Sequence, residues 1–83
     1  MLMKIAYAPG ILDALEEAPV PVRKAFFKQV KLLERDLRHP SLRAKKYDES
    51  QDLWQARVNQ HWRFYFHIID DTYFIRDIIP HPK

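Results

Sequence analysis

The stretch WQARVNQHWRFYFH, residues 54 to 67, alternates so regularly that it leaves the chain little choice of fold. Trp54, Ala56, Val58, Trp62, Phe64 and Phe66 hold even positions, while Gln55, Arg57, Arg63, Tyr65 and His67 hold odd ones. A period of two marks a strand with one buried face, and the break at Asn59-Gln60-His61 turns the stretch into an antiparallel hairpin. If residues 59–61 form a three-residue loop, with Asn or His in the left-handed conformation both tolerate, then Val58 pairs with Trp62, Arg57 with Arg63 and Gln55 with Tyr65. A two-residue loop would set Trp54, Ala56 and Val58 beside Arg63 and Tyr65, and burial penalises that slip. The preferred register leaves an apolar face, extended by Ile68, and a second face of Gln55, Arg57, Arg63, Tyr65 and His67. Burying two unpartnered arginines costs several kcal/mol. The second face is therefore expected to meet water or an anion.

An apolar sheet face needs a cover, and the first half of the chain supplies one. From Pro21 the period becomes helical, with Val22, Phe26, Val30, Leu33 and Leu37 on one stripe and Arg23, Lys24, Lys28, Lys31 and Arg35 elsewhere. Pro21 suits the first helical position, and the helix is expected to end near His39-Pro40. Before it, Ile11 to Glu17 reads as a short helix with Ile11, Leu12 and Leu15 on one side. The segment APVPV separates the two, because a residue before proline avoids the helical region. Met3 to Ala8 reads as a first strand ended by Pro9-Gly10. SLRAKKYDESQD shows neither period and reads as a surface loop. Tyr73 to Ile79 reads as the last strand of a meander, but its alternation puts Arg76 on one side and Asp77 on the other, so its register stays open. The expected fold is a single α+β domain over residues 1–83, with two N-terminal helices packed on one face of a small antiparallel sheet.

Composition narrows the function classes. Eighty-three residues make one domain, of a size that buries only about 60% of its unfolded surface. The absence of cysteine removes disulfide frameworks and thiolate zinc sites. Fourteen Lys and Arg against eleven Asp and Glu give a formal charge of +3 and a pI near 9.3, a balance suited to a polyanion or an acidic partner. No apolar run reaches the length of a signal peptide or the roughly 20 residues of a membrane span, and a cytoplasmic protein without a membrane role is expected. The histidines, at 39, 61, 67 and 81, make no helical i, i+4 pair, so no metal site is expected. The serines are Ser41 and Ser50, both in the polar segment, which disfavours a Ser-His-Asp arrangement.

Helices first, then a polar segment with a Lys46-Tyr47 step, then LWQARV, HWRFYF and a final strand with a short basic tail: this order resembles the RelE/ParE superfamily of type II toxin–antitoxin systems. The likeness covers almost the whole chain, and its most specific part is W-x-x-R-V followed by aromatic-Arg-aromatic. Members of the RelE branch are ribosome-dependent endoribonucleases that cut messenger RNA in the ribosomal A site, and members of the ParE branch inhibit DNA gyrase. The resemblance is taken to the RelE branch, with a ParE-like gyrase inhibitor or an inactive toxin-like RNA-binding domain as alternatives. It implies a metal-independent enzyme with no cofactor, held by a cognate antitoxin in a hetero-oligomer and acting on the ribosome and its message. The family arginine after an aromatic on the central strand maps onto Arg63. A basic residue on the preceding strand maps onto Arg57, here six positions earlier where many members have five. The basic residue beyond the last strand falls at Lys83, with His81 where related toxins often carry histidine. The tyrosine that some members use further on has no counterpart here, which shifts acid and base work to His81.

Cleaving RNA without a metal means attack of a ribose 2′-hydroxyl on the adjacent phosphate. That requires a base, an acid for the leaving 5′-oxygen, and cations for the added negative charge. Arg63 and Arg57 match a phosphate clamp. Histidine, with an ordinary pKa of about 6.5, is the natural proton carrier, which points to His81. Lys83 matches stabilisation of the leaving group, Tyr65 a base-stacking platform, and Lys45 and Lys46 further phosphate contacts. A plainer reading stands beside each: solvated arginines on an open face, a tail histidine, a solvated loop. His61 and His67 read as loop and sheet-surface residues, and Trp54, Trp62, Phe64 and Phe66 as core.

Overall fold

Proline and glycine punctuate the N-terminal half. In the computed structural model, which describes residues 3–81, strand β1 (Lys4–Tyr7) stops before Pro9-Gly10, and Gly10 takes a φ of 89°, a left-handed value open to glycine at little cost. Helix α1 (Ile11–Glu17) follows and ends where Ala18 N–H donates to the carbonyls of Ala14 and Leu15. Ala18 then extends, as a residue before proline must.

Helix α2 covers Val20–Arg35, so Pro21 is its second residue rather than its first. The missing N–H is harmless at either position, since the first turn has no intrahelical acceptors. The helix stops about a turn earlier than the stripe suggests. Asp36 is extended, and its carboxylate accepts from Arg38 N–H, the kind of local bond by which aspartate competes with helix. Leu37 still packs against the core.

The segment expected as a loop contains structure. A 3₁₀ turn at Pro40–Leu42 buries Leu42 completely, strand β2 spans Lys45–Asp48, and a second 3₁₀ turn covers Glu49–Gln51. Strands β3 (Leu53–Arg57), β4 (Trp62–Ile69) and β5 (Thr72–Pro80) complete a five-stranded sheet in the order β1-β5-β4-β3-β2. β2 is an edge strand of four residues, too short for a clear period, and its lysines are common on edges because they discourage pairing with other chains. The sheet is antiparallel except that β1 lies parallel to β5. The α+β architecture, with both helices on one face, is as expected.

The hairpin register is also as expected: Arg57 pairs with Arg63 and Gln55 with Tyr65. Its closure differs. Among the described residues the positive-φ positions other than glycine are Arg43, Asp52 and Asp70, none of them in the loop. Instead the Asn59 side-chain carbonyl accepts from the N–H groups of His61 and Trp62 at 2.9 and 3.0 Å, and so makes the turn that a left-handed residue would have made. The open question about β5 is resolved by a bulge. Pairing runs Phe66 with Ile75 and then Tyr65 with Asp77, so Arg76 is the extra residue and neither charge is forced under the helices.

The core sits between α1, α2 and the sheet. Phe26 of α2 meets Phe64 edge to face, with centroids 5.5 Å apart and an interplanar angle of 87°, the geometry aromatic quadrupoles favour. Phe26, Leu33, Phe64, Phe66 and Ile75 are fully buried. Gln29 is the buried polar residue of α2, and its amide donates to the carbonyls of Ser41 and Arg57 at 3.1 and 2.8 Å. That pair of bonds ties the helix to the 3₁₀ turn and to the end of β3.

Candidate functional site

The face turned away from the helices carries the basic residues. Arg57 and Arg63 lie opposite each other at the end of the β3–β4 hairpin, an unfavourable placement for like charges. No carboxylate relieves it, since the salt bridges among the described residues are Lys4–Asp71 and Lys46–Asp52. The loop's own backbone does so instead. The Asn59 carbonyl accepts from Arg57 Nε at 3.2 Å and from Arg63 Nη1 at 2.7 Å, and Arg63 Nη1 also donates to Trp62 O at 3.0 Å. These bonds occupy one nitrogen of each guanidinium. Burial holds Arg63 below the ordinary arginine value, and the charges of Arg57 and Arg43 push the same way while Tyr65 opposes them. An arginine remains charged at neutral pH under such a shift, so the site presents concentrated positive charge.

Arg43, Lys45, Gln55, Arg57, Arg63 and His81 line one hollow of about 350 Å³. Strand pairing brings four of them together: Lys45 of β2 lies opposite Gln55 of β3, and Arg57 of β3 lies opposite Arg63 of β4. His81 is placed by its backbone, whose N–H donates to His61 O at 2.7 Å and so pins the end of β5 to the hairpin loop. Of the residues expected to act on phosphate, Arg57, Arg63, His81 and Lys45 thus converge, and Lys83 lies outside the described residues.

Two expectations change. Lys46 does not join the basic face. It pairs with Trp54, its ammonium sits 5.5 Å from the indole centroid and bonds Asp52 at 2.8 Å. The bond to Asp52 raises the Lys46 pKa and lowers that of Asp52. Strand alternation explains the split, since neighbours in a strand point to opposite faces. Tyr65 lies on the open face but is only 8% exposed. Its hydroxyl accepts from Gln55 Nε2 at 2.9 Å, and the ring of Tyr47 covers it edge on at 5.1 Å. The aromatic surface open to a ligand is therefore Tyr47, 57% exposed. It borders a smaller hollow with Tyr65, Arg76, Asp77 and Ile79.

Sequence reasoning did not single out Arg43, Gln55 or Tyr47 as site residues. Gln55 was legible as an open-face neighbour of Arg57, and Tyr47 as two residues from Lys45. Arg43 gave no signal, because its place depends on the 3₁₀ turn before it. Among the described residues no group of three or more His, Asp or Glu is arranged to hold a metal ion, and no helix is long and apolar enough to cross a membrane.

No family model and no curated protein matches the chain. The fold, by contrast, is shared with solved structures. A chain of the archaeal RelE–RelB complex from Pyrococcus horikoshii aligns with a TM-score of 0.82 and 18% identity over 100% of this chain and 99% of that one. The YoeB/ParE toxin from Agrobacterium tumefaciens gives 0.77 and 12% over 96% and 100%. The YoeB–YefM complex from Staphylococcus aureus gives 0.75 and 15% over 99% and 100%. At such identities the likeness is one of fold, and the chain has the RelE/ParE toxin fold.

Proposed function

We propose that the protein is the toxin of a type II toxin–antitoxin pair and that it cuts messenger RNA on the ribosome without a metal. The observation that carries this reading is the convergence of Arg43, Lys45, Arg57, Arg63 and His81 on one open hollow with no carboxylate side chain among the described residues of its lining. The fold neighbours, several of them toxin–antitoxin complexes, support the class and the antitoxin partner.

In this reading the scissile phosphate sits between Arg57 and Arg63, whose remaining guanidinium nitrogens bind its non-bridging oxygens. A base removes the 2′-hydroxyl proton, the 2′-oxygen attacks phosphorus, and the bond to the 5′-oxygen breaks as that oxygen gains a proton. The products are a 2′,3′-cyclic phosphate and a free 5′-hydroxyl. His81 carries one of the two protons, and Lys83 and Lys45 offset charge on the leaving oxygen and on the backbone. The arginines stabilise the extra negative charge of the transition state, the kind of preorganised donation worth about 10²- to 10³-fold in rate. Tyr47 stacks on an unpaired base beside the cut.

The test is to mix the purified protein with ribosomes carrying a short message and map new 5′ ends, beside a gyrase supercoiling assay. New cuts that vanish in Arg63→Ala support the proposal. Intact message with blocked supercoiling transfers the assignment to gyrase inhibition.

A further inference from the structure

Beside the cutting hollow lies a second, larger one of about 470 Å³, whose lining includes Lys28, Gln29, Ser41, Arg43, Arg57 and Asn59. Arg43 and Arg57 line both hollows, so the two abut. Among the described residues the lining of this second hollow holds three cations and no carboxylate, and none of the three takes part in a salt bridge. Its floor is built rather than incidental. The Gln29 amide is committed to the Ser41 and Arg57 carbonyls, which fixes α2, the 3₁₀ turn and β3 relative to one another. Arg43 closes that turn with φ 46° and ψ 42°, a conformation in which glycine or asparagine meets less strain. The position sets the Arg43 side chain between the two hollows.

We infer that the bound RNA continues from the cutting hollow into this second one, where Lys28 and Arg43 hold a phosphodiester adjacent to the one that is cut. The inference rests on the RNA-cleavage reading and adds to it a path and a residue of α2. Repulsion among Lys28, Arg43, Arg57 and Arg63 is relieved best by a ligand bearing one negative charge per repeat, because a single anion in the first hollow leaves Lys28 unmatched. A nucleic-acid strand has that charge spacing built in. Lys28 is exposed on α2, so its removal leaves the core packing alone.

The experiment uses ribosomes programmed with a short message in which one flanking linkage, on either side of the cut, is a neutral methylphosphonate. Single-turnover cleavage is followed against protein concentration for wild type, Lys28→Ala and Lys28→Glu, with thermal unfolding of each. Neutralising the correct flank raises the half-saturating concentration of wild type on the order of fivefold to tenfold. Lys28→Ala does the same on an unmodified message, and the two changes together are no worse than either alone, while the maximal rate stays the same. Additive losses, or a Lys28→Ala protein that saturates like wild type, overturn the inference. A Lys28→Glu protein that cuts normally but no longer binds its antitoxin overturns it too, and gives the hollow to an acidic protein segment. If wild type makes no cut at all, the cleavage reading itself falls, a result distinct from any effect of Lys28.

Discussion

Arg57 and Arg63 share one acceptor, the carbonyl oxygen of Asn59, at 3.2 and 2.7 Å. Two cations facing each other across a hairpin are thereby held in place by the loop that joins their strands. This makes Arg63 part of the hairpin as well as part of the site. Arg63→Ala is expected to lower stability by about 1 kcal/mol, more than an ordinary surface change, and to slow cleavage by about a hundredfold. Arg63→Lys keeps the charge but loses the fork, so it should recover most of the stability and little of the rate. Thermal unfolding and cleavage measured on the same preparations separate the two effects. Equal recovery of both would remove the clamp.

Gln29, itself buried, ties three elements together through the carbonyls of Ser41 and Arg57. Gln29→Leu fills similar space but leaves those carbonyls without its amide, and should destabilise by about 2 kcal/mol. For a domain of this size the melting temperature should fall by roughly 8 to 16 °C. A melting temperature within a degree or two of wild type would mean that water replaces the amide freely.

Phe64 is fully buried against Phe26 and Phe66. Phe64→Ala should cost about 3 to 5 kcal/mol, much of the stability of a small domain, and chemical denaturation should show it as a large drop in midpoint. Phe64→Leu, which keeps more of the volume, should fall between.

Asp48 and Asp52 both have lowered pKa values, the first chiefly through the Ser50 hydroxyl and the second through Lys46. A carboxylate whose folded pKa lies below its unfolded value stabilises the fold fully above the unfolded value, ordinarily 3.8. That contribution fades as the pH drops from there through the lowered folded value. Unfolding midpoints should therefore decline as the pH is lowered through that range, and less steeply in Asp48→Asn, which has no proton to gain. An identical decline in both proteins would place the acid sensitivity elsewhere.

Tyr47 offers the exposed ring and Tyr65 the buried one. Tyr47→Ala should weaken binding of a short single-stranded RNA by roughly 1 to 3 kcal/mol with little change in melting temperature. Tyr65→Phe, which removes only the acceptor of the Gln55 bond, should bind nearly as wild type and unfold slightly earlier. Filter binding and calorimetry on the pair would show whether the two rings have the roles assigned to them.

Much of this was legible in one hairpin. Alternation through Trp54 to His67, together with the cost of burying arginine, was enough to place Arg57 opposite Arg63 on the face away from the helices. What stayed hidden depends on contacts that pattern does not encode. β2 is too short for a period to emerge, so the opposite fates of Lys45 and Lys46 were invisible while both lay in a supposed loop. The bulge at Arg76 breaks the alternation that would have fixed β5. Tyr65 stands on the expected face, but its covering ring comes from Tyr47, eighteen positions away in the sequence. Arg43 reaches the site only because a left-handed residue turns the chain there.

The parallel pairing of β1 with β5 sets an order of assembly. Lys4 and its sheet partner Thr72 are far apart in the sequence, and closing so long a loop is slow and entropically costly. Until β5 has left the ribosome, β1 has no neighbour, the apolar face of β4 lacks one flank, and His81 has not yet been brought to the hairpin. Fold and hollow are completed in the same event. A chain that has not yet formed β5 therefore lacks at once the partner of β1, one flank of β4 and the histidine of the hollow.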